Sequence, residues 1–71
     1  MEEFKLKAGE DYIQLNDLLK VMSWVASGGE AKQFILNEDV HVNQNPELRI
    51  RRKLRAGDTV QFNGNEVVVK A

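Results

Sequence analysis

The tripeptide Ser27-Gly28-Gly29 divides the first half of the sequence into two helical segments, and it constrains the fold more than any other feature. Before it, Leu15, Leu18, Leu19 and Met22 recur at helical spacing, which predicts a helix from residue 15 to about 23. Serine is a favoured N-cap residue, and a glycine pair permits backbone angles closed to other residues. We therefore expect a tight turn between two helices.

The second predicted helix follows this turn and places Ala31, Phe34 and Ile35 on one face. It is expected to end at Asn37, because asparagine readily adopts the left-handed conformation that terminates helices. Farther along, Asn45-Pro46 is interpreted as a turn or loop, since proline restricts the residue before it.

The rest of the sequence alternates between apolar and polar residues, which is typical of strands. Phe4–Lys7 and Val40–Asn43 show this pattern, and Ala56–Asp58 is interpreted as a turn. Strand patterns at 59–62 and 66–69 flank Asn63-Gly64, which predicts a two-residue β-hairpin loop with both residues at positive φ. The predicted fold class is α+β, with a two-helix hairpin packed on a small, twisted, mainly antiparallel sheet.

A length of 71 residues without cysteine limits the possible functions. We expect one domain over residues 1–71, whose small core cannot enclose a deep active site. The acidic start has no apolar leader and no run is long enough for a membrane span, so a cytoplasmic protein without membrane contact is expected. No acid pair, catalytic triad or nucleotide-binding loop is recognisable, so we expect no enzymatic activity, cofactor, metal or small-molecule substrate.

The charges are distributed unevenly along the chain. Residues 1–48 contain four lysines and nine acidic residues, whereas residues 49–71 contain six basic and two acidic ones. Five of the seven residues in Arg49–Arg55 are cationic, with Ile50 and Leu54 as apolar anchors. Such a cluster is suited to phosphates, because bound cations release the counterions condensed on a polyanion. The alternative is a solvated charged segment without a ligand.

Two aromatic residues outside this cluster have alternative interpretations. His41 is the only histidine and has no cysteine near it, so a strand-surface residue is favoured over a metal ligand. Trp24 is expected to pack over the helix hairpin, although aromatic side chains can also stack on bases. Gly28 and Gly29 either serve only the turn or leave room for a nucleic-acid backbone to approach closely.

Taken together, the order of these segments resembles the S-four-type RNA-binding domain, or alpha-L motif, and especially its small stand-alone bacterial members of the YaaA/YbcJ type. The resemblance covers residues 12–64. It depends on four segments, namely Leu18-Leu19-Lys20, Ser27–Lys32, Val40–Asn43 and Arg52–Val60. Two positions depart from the common pattern: Gly28 replaces a frequent arginine, and Glu38 replaces a frequent glycine.

The resemblance implies binding to structured RNA, either ribosomal or transfer RNA or the ribosome itself. We separately expect a monomer. The residues it assigns to RNA contact are Lys32, Arg49, Arg51, Arg52 and Lys53, with Arg55 and Lys20 as second candidates. Gly57 and Asp58 match the family as well and are expected to form a structural turn. A different hypothesis is a protein-interaction adaptor that docks a partner through the acidic N-terminal half; an enzyme subunit would need a partner chain to supply the chemistry.

Overall fold

Five of the seven strands form one sheet, and the other two pair beside the first helix. The computed structural model describes all 71 residues. In chain order the elements are β1 (Glu2–Lys5), β2 (Ile13–Gln14), α1 (Leu15–Val21), α2 (Gly28–Leu36), β3 (Val40–Val42), β4 (Asn45–Pro46), β5 (Lys53–Leu54), β6 (Thr59–Phe62) and β7 (Asn65–Lys70). The large sheet has the order β1-β7-β6-β3-β4, and the small one pairs β2 with β5. Neither helix is long and apolar enough to cross a membrane.

The predicted N-cap of α2 is confirmed. Ser27 has extended backbone angles, and its Oγ accepts a hydrogen bond of 3.2 Å from the backbone N–H of Glu30. The Glu30 side chain in turn accepts a bond of 2.9 Å from the backbone N–H of Ala26. This reciprocal arrangement satisfies N–H groups at the start of the helix that otherwise have no partner.

The glycine pair does not have the backbone role expected from the sequence. Neither Gly28 nor Gly29 has a positive φ, and the left-handed residue between the two helices is Ser23, at φ 60°. The expectation that the turn needs special backbone angles at these two glycines is therefore wrong. They occupy the first turn of α2, where a side chain could be accommodated.

α2 ends at Leu36 with Asn37 as its C-cap, as predicted, but the left-handed residue lies one position later than predicted. Asn37 has φ −82°, which is not left-handed, whereas Glu38 has φ 63°. This conformation destabilises a residue other than glycine by about 1–2 kcal/mol, because its Cβ lies too close to the backbone. Glu38 is the position where many members of the resembled family have glycine, and the positive φ explains that preference.

Two hairpins with two-residue turns, β6–β7 and β3–β4, build four of the five strands of the large sheet. Asn63 and Gly64 connect β6 to β7 at φ 51° and 81°, as predicted. A second turn, formed by Asn43 and Gln44 at φ 51° and 72°, connects β3 to β4. The expected turn at Asn45-Pro46 is therefore wrong, since these residues form the returning edge strand. An edge strand tolerates proline because its missing N–H can face away from the neighbouring strand.

The core lies between the helices and one face of the large sheet. The sheet supplies alternate residues from β3, β6 and β7, of which Val40, Val60, Val67 and Val69 are fully buried. Both helices cover them with the buried side chains Leu15, Leu18, Leu19, Ala31 and Ile35. Trp24 packs on the edge of this core, with its ring centroid 6.4 Å from that of Phe62. His41 is half-buried on the opposite face of the sheet.

One strand pairing joins the two ends of the chain. β1 runs parallel to β7 in the register Glu2 to Val67 through Lys5 to Lys70, whereas the other pairings of the large sheet are antiparallel. The sheet is therefore mixed, with one parallel edge. This pairing puts β1 and β4 at opposite edges of the sheet.

Replacing Glu38 by glycine should stabilise the protein. Glycine removes the left-handed strain of about 1–2 kcal/mol but adds chain entropy of about 0.5–1 kcal/mol to the unfolded state. We expect the free energy of unfolding of Glu38→Gly, measured by urea denaturation, to rise by about 0.5–1 kcal/mol. Glu38→Ala keeps the strain while removing the carboxylate, so it should give no such gain. Equal stabilisation by both variants would mean that charge, rather than φ, is responsible.

Candidate nucleic-acid interface

The basic segment Arg49–Arg55 is held against the start of α1 by its backbone. The N–H of Leu15 donates to the carbonyl of Arg52 at 2.8 Å, and the N–H of Asn16 donates to the carbonyl of Ile50 at 3.1 Å. Since α1 has no side-chain N-cap, these carbonyls take the place of one. Leu54 is fully buried and Ile50 packs against the core, as predicted for the two anchors.

This anchoring creates two open depressions beside each other. The first, here called the helix groove, has a volume of about 470 Å³ and is lined by Asn16, Gly28, Gly29, Lys32, Ile50 and Arg51. The second, here called the arginine shelf, has a volume of about 500 Å³ and is lined by Arg49, Arg51, Arg52 and Lys53. Arg51 lines both depressions, so they form one continuous surface. Five of the seven cations singled out in the sequence line this surface.

The glycines leave the backbone of α2 exposed at the floor of the helix groove. A Cβ placed on Gly28 would meet nothing closer than Lys20 Nζ, at 3.9 Å, and one on Gly29 nothing closer than Ser27 Oγ, at 3.9 Å. The fold therefore does not require glycine at either position, for space or for φ. Both glycines therefore leave open space next to the backbone at the first turn of α2.

The two second-rank cations lie at the margins of this surface. Lys20 forms an exposed ion pair with Asp17, at 3.4 Å, and reaches the edge of the helix groove at Gly28. Arg55 lies on another side, where its guanidinium is 5.7 Å from the centroid of the Tyr12 ring. The Nζ of Lys53 is 5.0 Å from the same centroid. Arg55 therefore belongs to a cation–π cluster and does not line either depression.

Gly57 and Asp58 have the structural role expected of them. Gly57 has φ 98°, and Asp58 accepts hydrogen bonds from the backbone N–H of Arg55 at 2.8 Å and from Asn43 Nδ2 at 3.0 Å. Asn43 Oδ1 accepts from the N–H of Thr59 at 3.0 Å. These bonds connect the end of the basic segment to the β3–β4 turn and thereby fix the start of β6.

A single buried acid, Glu47, lies beneath the arginine shelf. Its Oε2 accepts hydrogen bonds from the backbone N–H of Arg49 at 3.0 Å and from Arg49 Nε at 3.1 Å. Its Oε1 accepts from Arg49 Nη2 at 3.1 Å and from Arg52 Nη1 at 2.6 Å. Both carboxylate oxygens are therefore engaged by the two arginines in a bidentate and bridging arrangement.

These contacts determine the protonation of the acid. The hydrogen bonds from the Arg49 side chain, followed by those from Arg52 and the Arg49 backbone, outweigh the effect of burial and lower the pKa of Glu47 from 4.5 to about 2. The same pairing raises the pKa of Arg49. Glu47 is therefore a carboxylate at any pH at which the protein is expected to work.

Sequence reasoning did not assign a role in the candidate site to Glu47, Asn16 or Tyr12. Glu47 lies just before the basic segment, but because this part of the chain is irregular, its position in the sequence does not predict which arginines its carboxylate contacts. Asn16 lines the helix groove, and its Oδ1 is buried without a hydrogen-bond partner. Tyr12 is distant in sequence from the two cations that face its ring. The two cations that face Tyr12 come from a distant segment, and the folded path of residues 47–52 decides which arginines Glu47 contacts, so no local pattern signals these contacts.

The stability of the protein should depend on the ionised state of Glu47. Because its pKa is lowered on folding, the carboxylate stabilises the native state above its ordinary pKa of 4.5, and this contribution is lost as the pH falls towards about 2. Relative to wild type, Glu47→Gln should lose about 2 kcal/mol of unfolding free energy at neutral pH. Urea denaturation at several pH values should show this difference shrinking between those two values. The control is Glu3→Gln, which removes an exposed acid on β1, and its unfolding free energy should stay near that of wild type at every pH. A loss in Glu47→Gln that does not depend on pH would contradict the lowered pKa of Glu47.

Comparisons with known proteins agree with this architecture. The family model of the S4 domain matches residues 4–70. YbcJ of Escherichia coli K12, provisionally named an RNA-binding protein, is 43% identical over 60 residues, which are 84% of this chain and 86% of YbcJ. RlbA of Bacillus subtilis 168, provisionally named a ribosome maturation protein, is 41% identical over 54 residues, 76% of each chain.

A solved structure supports the same conclusion. The solution structure of YbcJ from Escherichia coli, described as revealing an αL motif involved in RNA binding, matches with a TM-score of 0.74 at 41% identity. The match covers 100% of this chain and 89% of the YbcJ chain. The predicted resemblance and the predicted α+β fold class are confirmed, and so is the prediction of a non-enzymatic domain, because the family is a non-catalytic one. This chain is a member of the S4 domain family, with the αL arrangement of two helices on a small mixed sheet.

Proposed function

We propose that this chain binds structured RNA, of the ribosomal or transfer type, through the helix groove and the arginine shelf. The observation that carries the proposal is the position of Arg51, which lines both depressions and joins Lys32 of α2 to the cations of the basic segment. Neither Lys32 nor Arg51 has an acidic partner. Both are therefore free to neutralise phosphates, although the chain has a net charge of −1.

The composition of this surface favours recognition of shape and phosphate position. Neither depression is lined by an aromatic side chain that could stack on an unpaired base. The arginine guanidinium groups present planar pairs of N–H donors that match phosphate oxygens. The backbone bonds to α1 fix the spacing of these donors. A folded RNA, whose phosphates also have fixed spacing, fits such a surface better than a flexible single strand does.

The relatives suggest where this activity is used. YbcJ has a motif described as involved in RNA binding, and RlbA bears the name of a ribosome maturation protein. We extend the proposal to a monomeric protein whose 71 residues form one RNA-binding domain and which acts in the cytoplasm during ribosome assembly. No metal ion, cofactor or small-molecule substrate is part of this mechanism.

Charge reversal at the junction of the two depressions tests the proposal. Binding of a fluorescent ribosomal RNA hairpin is measured by anisotropy across a salt series. The logarithm of the affinity should fall linearly with the logarithm of the salt concentration, with a slope that corresponds to about four phosphate contacts at about 0.7–0.9 for each contact. In Lys32→Glu/Arg51→Glu the affinity should fall by about 10–100-fold, and the slope by about two contacts. As a matched control, Lys5→Glu/Lys70→Glu makes the same charge change on β1 and β7, and its affinity should stay within about threefold of wild type, because its lysines do not line the surface.

Two results would contradict this proposal. One is a wild-type protein that does not bind the hairpin at low salt, and the other is an equal loss of affinity in both double variants. In the first case the adaptor hypothesis is favoured. It predicts that reversing Glu2, Glu3 or Asp11 abolishes capture of a protein partner, whereas substitutions of Arg51 and Arg52 do not affect it.

The open backbone of the helix groove gives a separate prediction. In Gly28→Ala/Gly29→Ala the added methyl groups meet no atom closer than 3.9 Å, and alanine is the better helix residue. The unfolding free energy should therefore stay the same or rise by up to about 1 kcal/mol. If phosphates approach this backbone closely, affinity for the hairpin should nevertheless fall by about threefold or more. Unchanged affinity would mean that the glycines do not contact RNA.

A further inference from the structure

Glu47 is in a position that simple electrostatics would disfavour in a phosphate-binding surface. A carboxylate next to an anion site ordinarily weakens binding, because like charges repel. This carboxylate, however, is 9% exposed, and each of its oxygens points at an arginine that lines the shelf. It therefore lies behind the guanidinium groups and does not itself face a ligand.

The two arginines keep donors available on their outer side. Arg49 uses Nε and Nη2 for the carboxylate, so its Nη1 group remains unbonded, and its side chain is 72% exposed. Arg52 uses only Nη1, which leaves Nε and Nη2, and its side chain is 27% exposed. A guanidinium group has five N–H donors, so one edge can hold a carboxylate while another binds a phosphate. Glu47 orients the arginines without using up their donors.

We infer that Glu47 is a positioning residue of the RNA site, which fixes Arg49 and Arg52 so that phosphates meet donors that are already in place. This inference rests on the proposed function. An arginine on the surface ordinarily loses much rotamer freedom when it binds, and ordering two such side chains beforehand is worth roughly tenfold in affinity. The fixed orientation also favours RNA whose phosphates match the spacing of the two guanidinium groups. A flexible strand, which adapts to mobile arginines as well, benefits less.

The test compares variants that separate charge from orientation. The dissociation constants for a fluorescent ribosomal RNA hairpin and for an oligouridine strand are measured at one salt concentration for wild type, Glu47→Gln, Arg49→Ala/Arg52→Ala and the triple variant. Glu47→Gln makes the protein more positive by one charge, so non-specific attraction predicts equal or tighter binding. We expect roughly tenfold weaker binding to the hairpin instead, with a smaller change for oligouridine. In the background without the two arginines, Glu47→Gln should cause no loss of hairpin affinity, because no guanidinium group remains to be oriented.

Glu3→Gln is the matched control, because it removes the same charge from β1, at the opposite edge of the sheet from β4. It should leave affinity unchanged or slightly higher. Circular dichroism at the assay temperature verifies that each variant is folded. Should Glu47→Gln unfold, Glu47→Asp makes the test, since it keeps the charge and both arginines, but its shorter side chain cannot keep the contacts with Arg49 and Arg52 in the same geometry. Its hairpin affinity should then fall roughly tenfold.

The results of this experiment distinguish a failure of the positioning role of Glu47 from a failure of the proposed RNA-binding function. Equal or tighter hairpin binding by folded Glu47→Gln, or unchanged affinity in Glu47→Asp, overturns the positioning role and leaves the proposed function intact. A loss of the same size with and without the arginines also overturns it, because Glu47 would then act through the fold. Failure of the wild-type protein to bind the hairpin overturns the proposed function, and the positioning role with it.

Discussion

Two backbone hydrogen bonds between the basic segment and the start of α1 hold the proposed RNA-binding surface together. They place the carbonyls of Ile50 and Arg52 on the N–H groups of Asn16 and Leu15, where a helix without a side-chain cap has donors to satisfy. The irregular segment thereby gains a defined path between its buried anchors. Because that path passes beside the first turn of α2, Arg51 reaches the helix groove, and one surface results instead of two.

The charge distribution shows how a chain that is acidic overall can present a cationic surface. Acids do occur close to the basic segment, but the structure uses them internally: Glu47 is buried beneath Arg49 and Arg52, and Asp58 accepts from the backbone N–H of Arg55 and from Asn43. Their carboxylates therefore fix the segment and contribute little repulsion towards an approaching anion. Net charge describes solubility and long-range attraction, whereas the position of each carboxylate relative to the arginines determines what the surface can bind.

Much of the fold follows from patterns that are local in the sequence. The Ser27 cap, the Asn63-Gly64 turn, the alternating valines and the two apolar anchors of the basic segment are each specified within a few residues, and each was predictable. The errors at Asn37 and at Asn45-Pro46 are displacements of one or two residues. In both cases a neighbour, Glu38 or the Asn43-Gln44 pair, takes the left-handed conformation. Local propensity fixed that a break occurs, but the packing of Val40 and Val42 into the core decided where.

The sequence by itself determined the helix hairpin, the hairpin-rich sheet and the location of the cations, because spacing and turn chemistry act between neighbouring residues. Only the tertiary structure decided which distant groups meet. The parallel pairing of β1 with β7 and the capping of α1 by the basic segment bring together residues that are far apart in the chain. Distant residues also meet where Lys53 lies over the Tyr12 ring and where Lys32 and Arg51 line the helix groove together. These contacts form because burying one shared core fixes the relative positions of its elements, and no local pattern encodes that geometry.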